Sequence, residues 1–258
     1  LSSSAALEVA TAGLLMKLHE LRLPALEVAK LCQRAENEFV GVRSGLLDQA
    51  TSVFGRADHL VYLDCQTEEI QTIPFPIGYA LVIADSGVKH NLLSSLYNKR
   101  REETAAAADA MGVETLREVT PDHLEIAQGS LNEVLHRRAA HIVGENDRVW
   151  RAVHALEAGD AAAIGGLMNA SHESSRTNFE NSTDELDALV AIAQTLPGVL
   201  GSRLTGGGFG GGTVTLVRAD EAHAVAEELR ERYVAKHGQT PSTFVCKIAD
   251  GAAISWRS

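Results

Sequence analysis

The 258-residue chain is 45% hydrophobic and 22% charged, enough apolar material for one large packed domain or two small ones and too much for a disordered or fibrous protein. Twenty-three basic against 34 acidic residues leave a net charge of -11, which repels a polyphosphate backbone and argues against nucleic-acid binding. No apolar run approaches the ~18 to 20 residues that cross a bilayer, so no membrane partner is expected. Cys32, Cys65 and Cys246 match neither a zinc-site nor a disulfide spacing, and Leu1–Ala6 lacks both an initiator Met and the layout of a secretion signal. The expectation is a cytoplasmic protein with reduced thiols.

In chain order, Leu7, Ala10, Leu14, Leu18 and Leu21 recur at helical spacing and predict an amphipathic helix over Ala5–Leu23, opened by a serine cap. Pro24 ends it and introduces a second helix over Ala25–Phe39. Gly41 and Gly45 bracket a loop before a short helix at Leu46–Val53. Period-two patterns predict strands at His59–Asp64, Glu69–Phe75 and Gly78–Ala84. The stretch from Leu92 to Leu196 turns rich in Ala and Glu, with helices at Arg100–Met111, Ile142–Leu156, Ala161–Phe179 and Thr183–Thr195. Strands at Val199–Leu204, Thr213–Val217 and Thr243–Lys247 and a helix at Asp220–Lys236 complete a chain whose composition shifts near residues 85 to 95, the expected domain boundary.

Several segments could carry chemistry. Ser2, Ser3, Ser4 and Ala5 stand at a helix N-terminus, where unpaired N–H groups and small side chains suit an anion; taken alone they are a cap. Thr205–Gly212 holds six glycines in eight residues between two strands, followed by neither the Lys of a phosphate-binding P-loop nor the helix of a dinucleotide fold; taken alone it is a flexible hairpin. Asp48 in a first helical turn complements the helix dipole, and Glu36 near a helix end would ordinarily be a solvated charge. His90–Glu102 reads as a helix with a basic patch at Arg100 and Arg101.

Taken together and in order, Leu-Ser-Ser-Ser-Ala-Ala-Leu-Glu at 1–8, Gln-x-Ala-Glu with Gly-Leu-Leu-Asp-Gln at 33–49, Ser-x-x-Tyr-Asn-x-Arg-Arg at 94–101, Ser-His-Glu-Ser at 171–174 and Ser-Arg-Leu-Thr-Gly-Gly-Gly-Phe-Gly-Gly at 202–211 resemble galactokinases, a family of the GHMP small-molecule kinase superfamily. The resemblance runs the length of the chain. It implies an α+β fold of two domains: a truncated N-terminal, ATP-binding domain over 1–85 with a returning C-terminal element, and a helical-plus-sheet C-terminal domain over 86–258.

It also implies ATP and magnesium as cofactors and galactose, phosphorylated at its anomeric hydroxyl, as substrate. Ser2, Ser3, Ser4 and Ala5 then match the phosphate loop, Ser4 and Glu36 the magnesium ligands, and Asp48 the catalytic base. Gly45 and Tyr97 match sugar contacts, and Gly206, Gly207, Gly208 and Gly210 a supporting glycine loop. Gly212 and the segment Asn178–Ser182 depart from the family pattern. The family's first motif, with an arginine near the transferred phosphate and further sugar contacts, is not among the 258 residues. The resemblance therefore implies that these residues alone are inactive, and that an open sheet edge favours self-association. A kinase for a neighbouring sugar and a non-catalytic galactose and ATP sensor remain alternatives.

Overall fold

A computed structural model describes residues 2–41, 44–88 and 93–253. Leu1, Val42, Arg43 and residues 89–92, which carry parts of the serine run, the Gly41–Gln49 motif and the His90–Glu102 helix, lie outside the described residues. The chain forms two compact units, one from Leu1–Phe75 and Lys247–Ser258, the other from Pro76–Cys246. The first ends earlier than the expected boundary at 85, because the third strand, Tyr79–Asp85, is bonded on both sides into the second unit's sheet.

In the first unit, helices α1 (Ser3–Leu18), α2 (Ala25–Ala35) and α3 (Leu47–Phe54) precede an antiparallel pair, β1 (His59–Leu63) and β2 (Ile70–Pro74). The leucine stripe expected to be the buried face of α1 is exposed: Leu7, Leu14, Leu18 and Leu21 all face outward. The buried side carries Ala5 and Val9, and Val9 packs with Val28 and Cys32 while Ala12, Met16 and Val53 close around them. The helix is apolar around most of its circumference, so spacing alone does not choose a side. Small side chains let α2 and α3 approach closely, and that choice wins. The returning tail is tied down as the Gly251 and Ala252 N–H groups donate to the Gly55 and Ser52 carbonyls, both at 2.7 Å.

Serine capping of α1 also fails. Ser2 has a left-handed backbone (φ 49°) and makes no side-chain cap. A cap needs an extended backbone to bring its hydroxyl to the second or third N–H. Only the Ser2 carbonyl engages the helix, accepting from the Ala6 N–H at 3.1 Å.

The second unit is built on an antiparallel sheet in the order β4-β5-β3-β6, with β3 at Tyr79–Asp85, β4 at Val199–Thr205, β5 at Gly212–Arg218 and β6 at Ser242–Cys246. Helices α8 (Asp184–Ala193) and α9 (Ala222–His237) pack Leu189, Leu229 and Tyr233 with Val82 and Val217 of the sheet. A separate cluster joins α4 (Leu93–Ala110) to α6 (Glu133–Glu157) around Ala107, Leu116, Ala139 and Val143. The short α5 (Pro121–Ile126), capped by Thr120, is too brief to show a periodicity in the sequence. Among the described residues no helix is long and apolar enough to cross a membrane.

Helix α7 (Ala161–Ser174) lies on β4 at backbone distance. A Cβ on Gly165 would stand 2.4 Å from the Leu200 carbonyl oxygen, and one on Gly201 would stand 2.1 Å from that of Gly165. Both obstacles are main chain and cannot rotate away. Gly201→Ala is therefore expected to destabilise the protein by about 1–3 kcal/mol, the usual range for overpacking, seen as a lower urea midpoint. An unchanged midpoint would mean that the helix slides off β4 at no cost.

Candidate active site

Three segment ends meet in the first unit. α2 ends at Ala35 and continues into a wide π turn, Glu36–Val40, closed by Gly41 in the left-handed region (φ 84°). The spacing predicts a helix on to Phe39, and the structure ends it at Ala35. The turn carries Glu36 inward: it is only 8% exposed, and its Oε2 has no hydrogen-bond partner among the described residues. A solvated charge, the ordinary expectation for that position, is excluded by this burial.

Beside it stands Glu8, one turn beyond Ser4 on α1. Its Oε2 accepts the Gln49 side-chain N–H at 3.2 Å. Burial, then hydrogen bonding to the Glu36 carboxyl, raise the Glu8 pKa, while Gln49 pulls it down. Gln49, 2% exposed, keeps its Oε1 without a partner among the described residues. The contact joins the helix that bears Ser4 to the first turn that bears Asp48, and Glu36 lies against it.

The segment before α3 is tied to α2 as well. Gln33 donates to the Ser44 carbonyl at 3.2 Å, and the Ser44 hydroxyl donates to Asn37 Oδ1 at 3.3 Å. Asp48 and Gly45 are exposed, as are Ser2, Ser3 and Ser4, while Ala5 is buried. An uncapped helix start with exposed hydroxyls, near a buried carboxylate whose Oε2 has no partner among the described residues, suits an anion and its hard counter-cation. Glu8 and Gln49 were not singled out from sequence. Their signal was positional: one turn after Ser4, and adjacent to Asp48.

The second unit holds the other sequence-predicted residues. Tyr97 is half-buried on α4, and a Cβ on Gly207 would lie 3.2 Å from its ring. The loop between β4 and β5 takes left-handed φ at Gly206, Gly208, Phe209, Gly210 and Gly211. Gly208 is required to be glycine, because a Cβ there would stand 2.2 Å from the Asn181 carbonyl oxygen. The Gly211 carbonyl accepts from the Ser86 N–H at 2.9 Å and from its hydroxyl at 2.8 Å. Arg100, on the same helix as Tyr97, stacks its guanidinium 5.6 Å from the centre of the buried Phe209 ring.

Like α2, α7 gives way to a π turn, Ser175–Phe179, where the sequence reading continued an α-helix. The corner after it is held by charge. Arg100 donates to the Phe179 carbonyl at 2.5 Å and the Glu180 carbonyl at 3.1 Å. Arg138 donates to the Asn178 carbonyl, Glu180 and Glu103, each at 2.6 Å. Glu103 also takes Arg100 at 3.0 Å.

The Ser-His-Glu-Ser motif faces inward at three of its four positions. The Leu204 N–H donates to His172 Nδ1 at 3.3 Å, leaving Nε2 to face Asp187 at 3.2 Å. Ser171 donates to Glu145 at 2.7 Å, and Ser174 pairs with His141 at 3.0 Å. Glu173 is exposed and pairs with Arg176. The motif thus ties α6, α7, α8 and β4 together.

Two matches define the family. Residues 1–56 match the GHMP kinases N terminal domain and residues 152–235 the GHMP kinases C terminal domain. The galactokinase of Roseiflexus sp. (strain RS-1) is 44% identical over 97% of this chain and 66% of its own length. That of Glaesserella parasuis serovar 5 is 42% identical over 98% of this chain and 67% of its own. Lactococcus lactis galactokinase, solved in complex with galactose, superposes with a TM-score of 0.92 at 36% identity, covering 96% of this chain and 66% of that one. The chain belongs to the GHMP kinases and, within them, to the galactokinases. It spans about two thirds of the length of the curated relatives it matches.

The buried histidines make stability depend on pH. Burial lowers the His141 pKa to about 4 from 6.5, with Arg148 and Arg203 adding to the effect and Glu145 opposing it. The folded pKa lies below the unfolded one, so this contribution is complete above pH 6.5 and is lost as pH falls towards 4. At 1.36 kcal/mol per pH unit, lowering the pH from 6.5 to 5 costs about 2 kcal/mol. His172 is lowered in the same direction, burial being the main cause. Urea unfolding at pH 7, 6 and 5 should show this loss, and His141→Gln should flatten it to the remainder due to His172. Equal slopes in the two proteins would contradict the assignment.

Proposed function

We propose that the protein transfers the γ-phosphoryl group of ATP to the anomeric hydroxyl of galactose. The observation that carries this reading is Glu36. A carboxylate that the sequence would leave in water is buried, with an oxygen that has no partner among the described residues, beside the contact that joins the helices of Ser4 and Asp48. Galactokinases are also what the curated relatives are named, and the Lactococcus lactis structure holds galactose.

In this reading the start of α1, with Ser2, Ser3, Ser4 and Ala5, holds the triphosphate through backbone N–H groups and hydroxyls. Ser4 and Glu36 would hold magnesium, and the residues fit it: one hydroxyl and one carboxylate oxygen without a protein donor. When bound, the ion neutralises phosphate charge. Asp48 accepts the proton of the anomeric hydroxyl as its oxygen attacks the γ-phosphorus and the bond to the β-phosphate oxygen breaks. Gly45 lies against the sugar, and the Tyr97 phenol hydrogen-bonds a sugar hydroxyl. Gly206, Gly207, Gly208 and Gly210 form the supporting glycine loop that the family resemblance implies. A cytoplasmic setting belongs to the same proposal.

In the full-length protein, Asp48→Asn should lower kcat at least a thousandfold with little change in galactose affinity, since an amide can hydrogen-bond the hydroxyl but cannot take its proton. Tyr97→Phe should mainly raise the KM for galactose. A coupled assay of ADP release measures both, and an Asp48→Asn enzyme turning over near the wild-type rate would reduce Asp48 to a positioning role.

These 258 residues tested alone are expected to show no turnover in the same assay. Without the first motif's arginine and sugar contacts, neither substrate orientation nor charge neutralisation is complete. Turnover equal to that of the full-length protein would contradict this.

A further inference from the structure

The glycine-rich loop poses a physical problem. Five of its residues, Gly206, Gly208, Phe209, Gly210 and Gly211, sit at left-handed φ; the four glycines have no conformational preference of their own, and Phe209 is held in a region a side chain disfavours. Something outside the loop must hold it. Its ends are fixed by β4 and β5, Ser86 holds the Gly211 carbonyl and Arg100 stacks on Phe209, and hydrogen bonds to its middle come from Asn181. The Asn181 carbonyl accepts the Phe209 N–H at 2.6 Å, and its side-chain N–H donates to the Gly207 carbonyl at 3.1 Å. Gly208, between the two, passes so close that only a hydrogen fits.

Asn181 is in turn immobilised. Its N–H donates to the Ser175 carbonyl at 3.2 Å. The carbonyls of the three residues before it are all taken by Arg100 and Arg138, with Glu103 between the two guanidinium groups. Arg100 lies one turn along α4 from Tyr97, so a single helix turn carries both the residue that rests on Gly207 and the one that anchors the corner.

We propose that Asn181 is a positioning residue: through its main chain and its side-chain amide it sets the spacing between the glycine-rich loop and Tyr97, with the Arg100–Glu103–Arg138–Glu180 ion cluster as its foundation. This deepens the functional reading above and rests on it, because it matters only if the loop and Tyr97 serve the reaction. A purely stabilising role does not account for the residue. Asn181 is 5% exposed and its Oδ1 has no partner among the described residues. An unsatisfied buried acceptor is destabilising, so an apolar side chain of similar size would serve stability better.

Two measurements on Asn181→Val separate these roles. Valine removes the side-chain clamp and the orphan oxygen together while leaving the carbonyl in place. Its melting temperature should equal or exceed that of wild type. Amide hydrogen exchange across residues 205–211 should accelerate at least fivefold, with exchange in α8 and α9 unchanged. In the full-length protein, kcat should fall about tenfold and the KM for galactose should rise about threefold. Glu103→Gln, which touches no loop residue, provides the second variant and should accelerate exchange in the same seven residues.

Unchanged loop exchange in both variants would overturn the clamp. Faster exchange with wild-type kinetics would overturn the positioning role and leave Asn181 a structural residue. Faster exchange in the variants, combined with a wild-type protein that transfers no phosphate to galactose, would sink the functional reading and leave the clamp standing.

Discussion

Two guanidinium groups, Arg138 at 2% and Arg100 at 9% exposure, are buried in the second unit, and buried charge is tolerated only when paired and hydrogen-bonded. Glu103 and Glu180 supply the pairing. Burial alone would raise the Glu103 pKa, but the Arg138 hydrogen bond and the charges of Arg100 and Arg138 outweigh it and lower it. Hydrogen bonding to Arg138 is the main cause of the lowering at Glu180. Both carboxylates therefore stabilise the fold above the ordinary carboxylate range and lose that contribution as pH falls through their folded pKa values. The remaining guanidinium N–H groups reach backbone carbonyls at the end of a helix. The cluster thereby fixes a corner of main chain, and the corner fixes a loop that glycine alone leaves undetermined.

The first unit meets a different constraint. Glu8 and Glu36 are placed together with no arginine paired to them among the described residues, and there the polar partner Gln49 offers one N–H and leaves its own oxygen without a partner. Burial and the hydrogen bond to the Glu36 carboxyl raise the Glu8 pKa, so the pair shares a proton more readily than exposed carboxylates do. A helix start with exposed hydroxyls stands one turn away. Under the proposed function, the Glu36 oxygen without a partner among the described residues and the hydroxyls at the start of α1 would suit a magnesium ion and a phosphate, the cation bringing positive charge to the transferred group.

Most of the architecture was legible because it rests on local patterns. The strands at 59, 70, 79, 199, 212 and 242 begin within a residue or so of their period-two runs. The leucine stripe of α1 misled because an all-round apolar helix encodes no direction. The serine cap failed because Ser2 sits at positive φ, which its residue type does not announce. Both π turns were read as continued helix, since the hydrophobic spacing through Phe39 and Phe179 does not reveal a wider turn. Those two turns nonetheless bury Glu36 and lead into Asn181. The candidate residues themselves came from the order of motifs, a resemblance; the contacts that organise them, through Glu8, Gln49 and Asn181, depend on partners tens of residues away in sequence and could only be seen in three dimensions.

The proposed reaction places phosphate on one oxygen of one sugar. Phosphorus-31 NMR of the product formed by the full-length protein from ATP, magnesium and galactose tests it most directly. The account predicts a single phosphomonoester coupled to the anomeric proton. Phosphate on the primary hydroxyl, or release of inorganic phosphate with the sugar untouched, would contradict it.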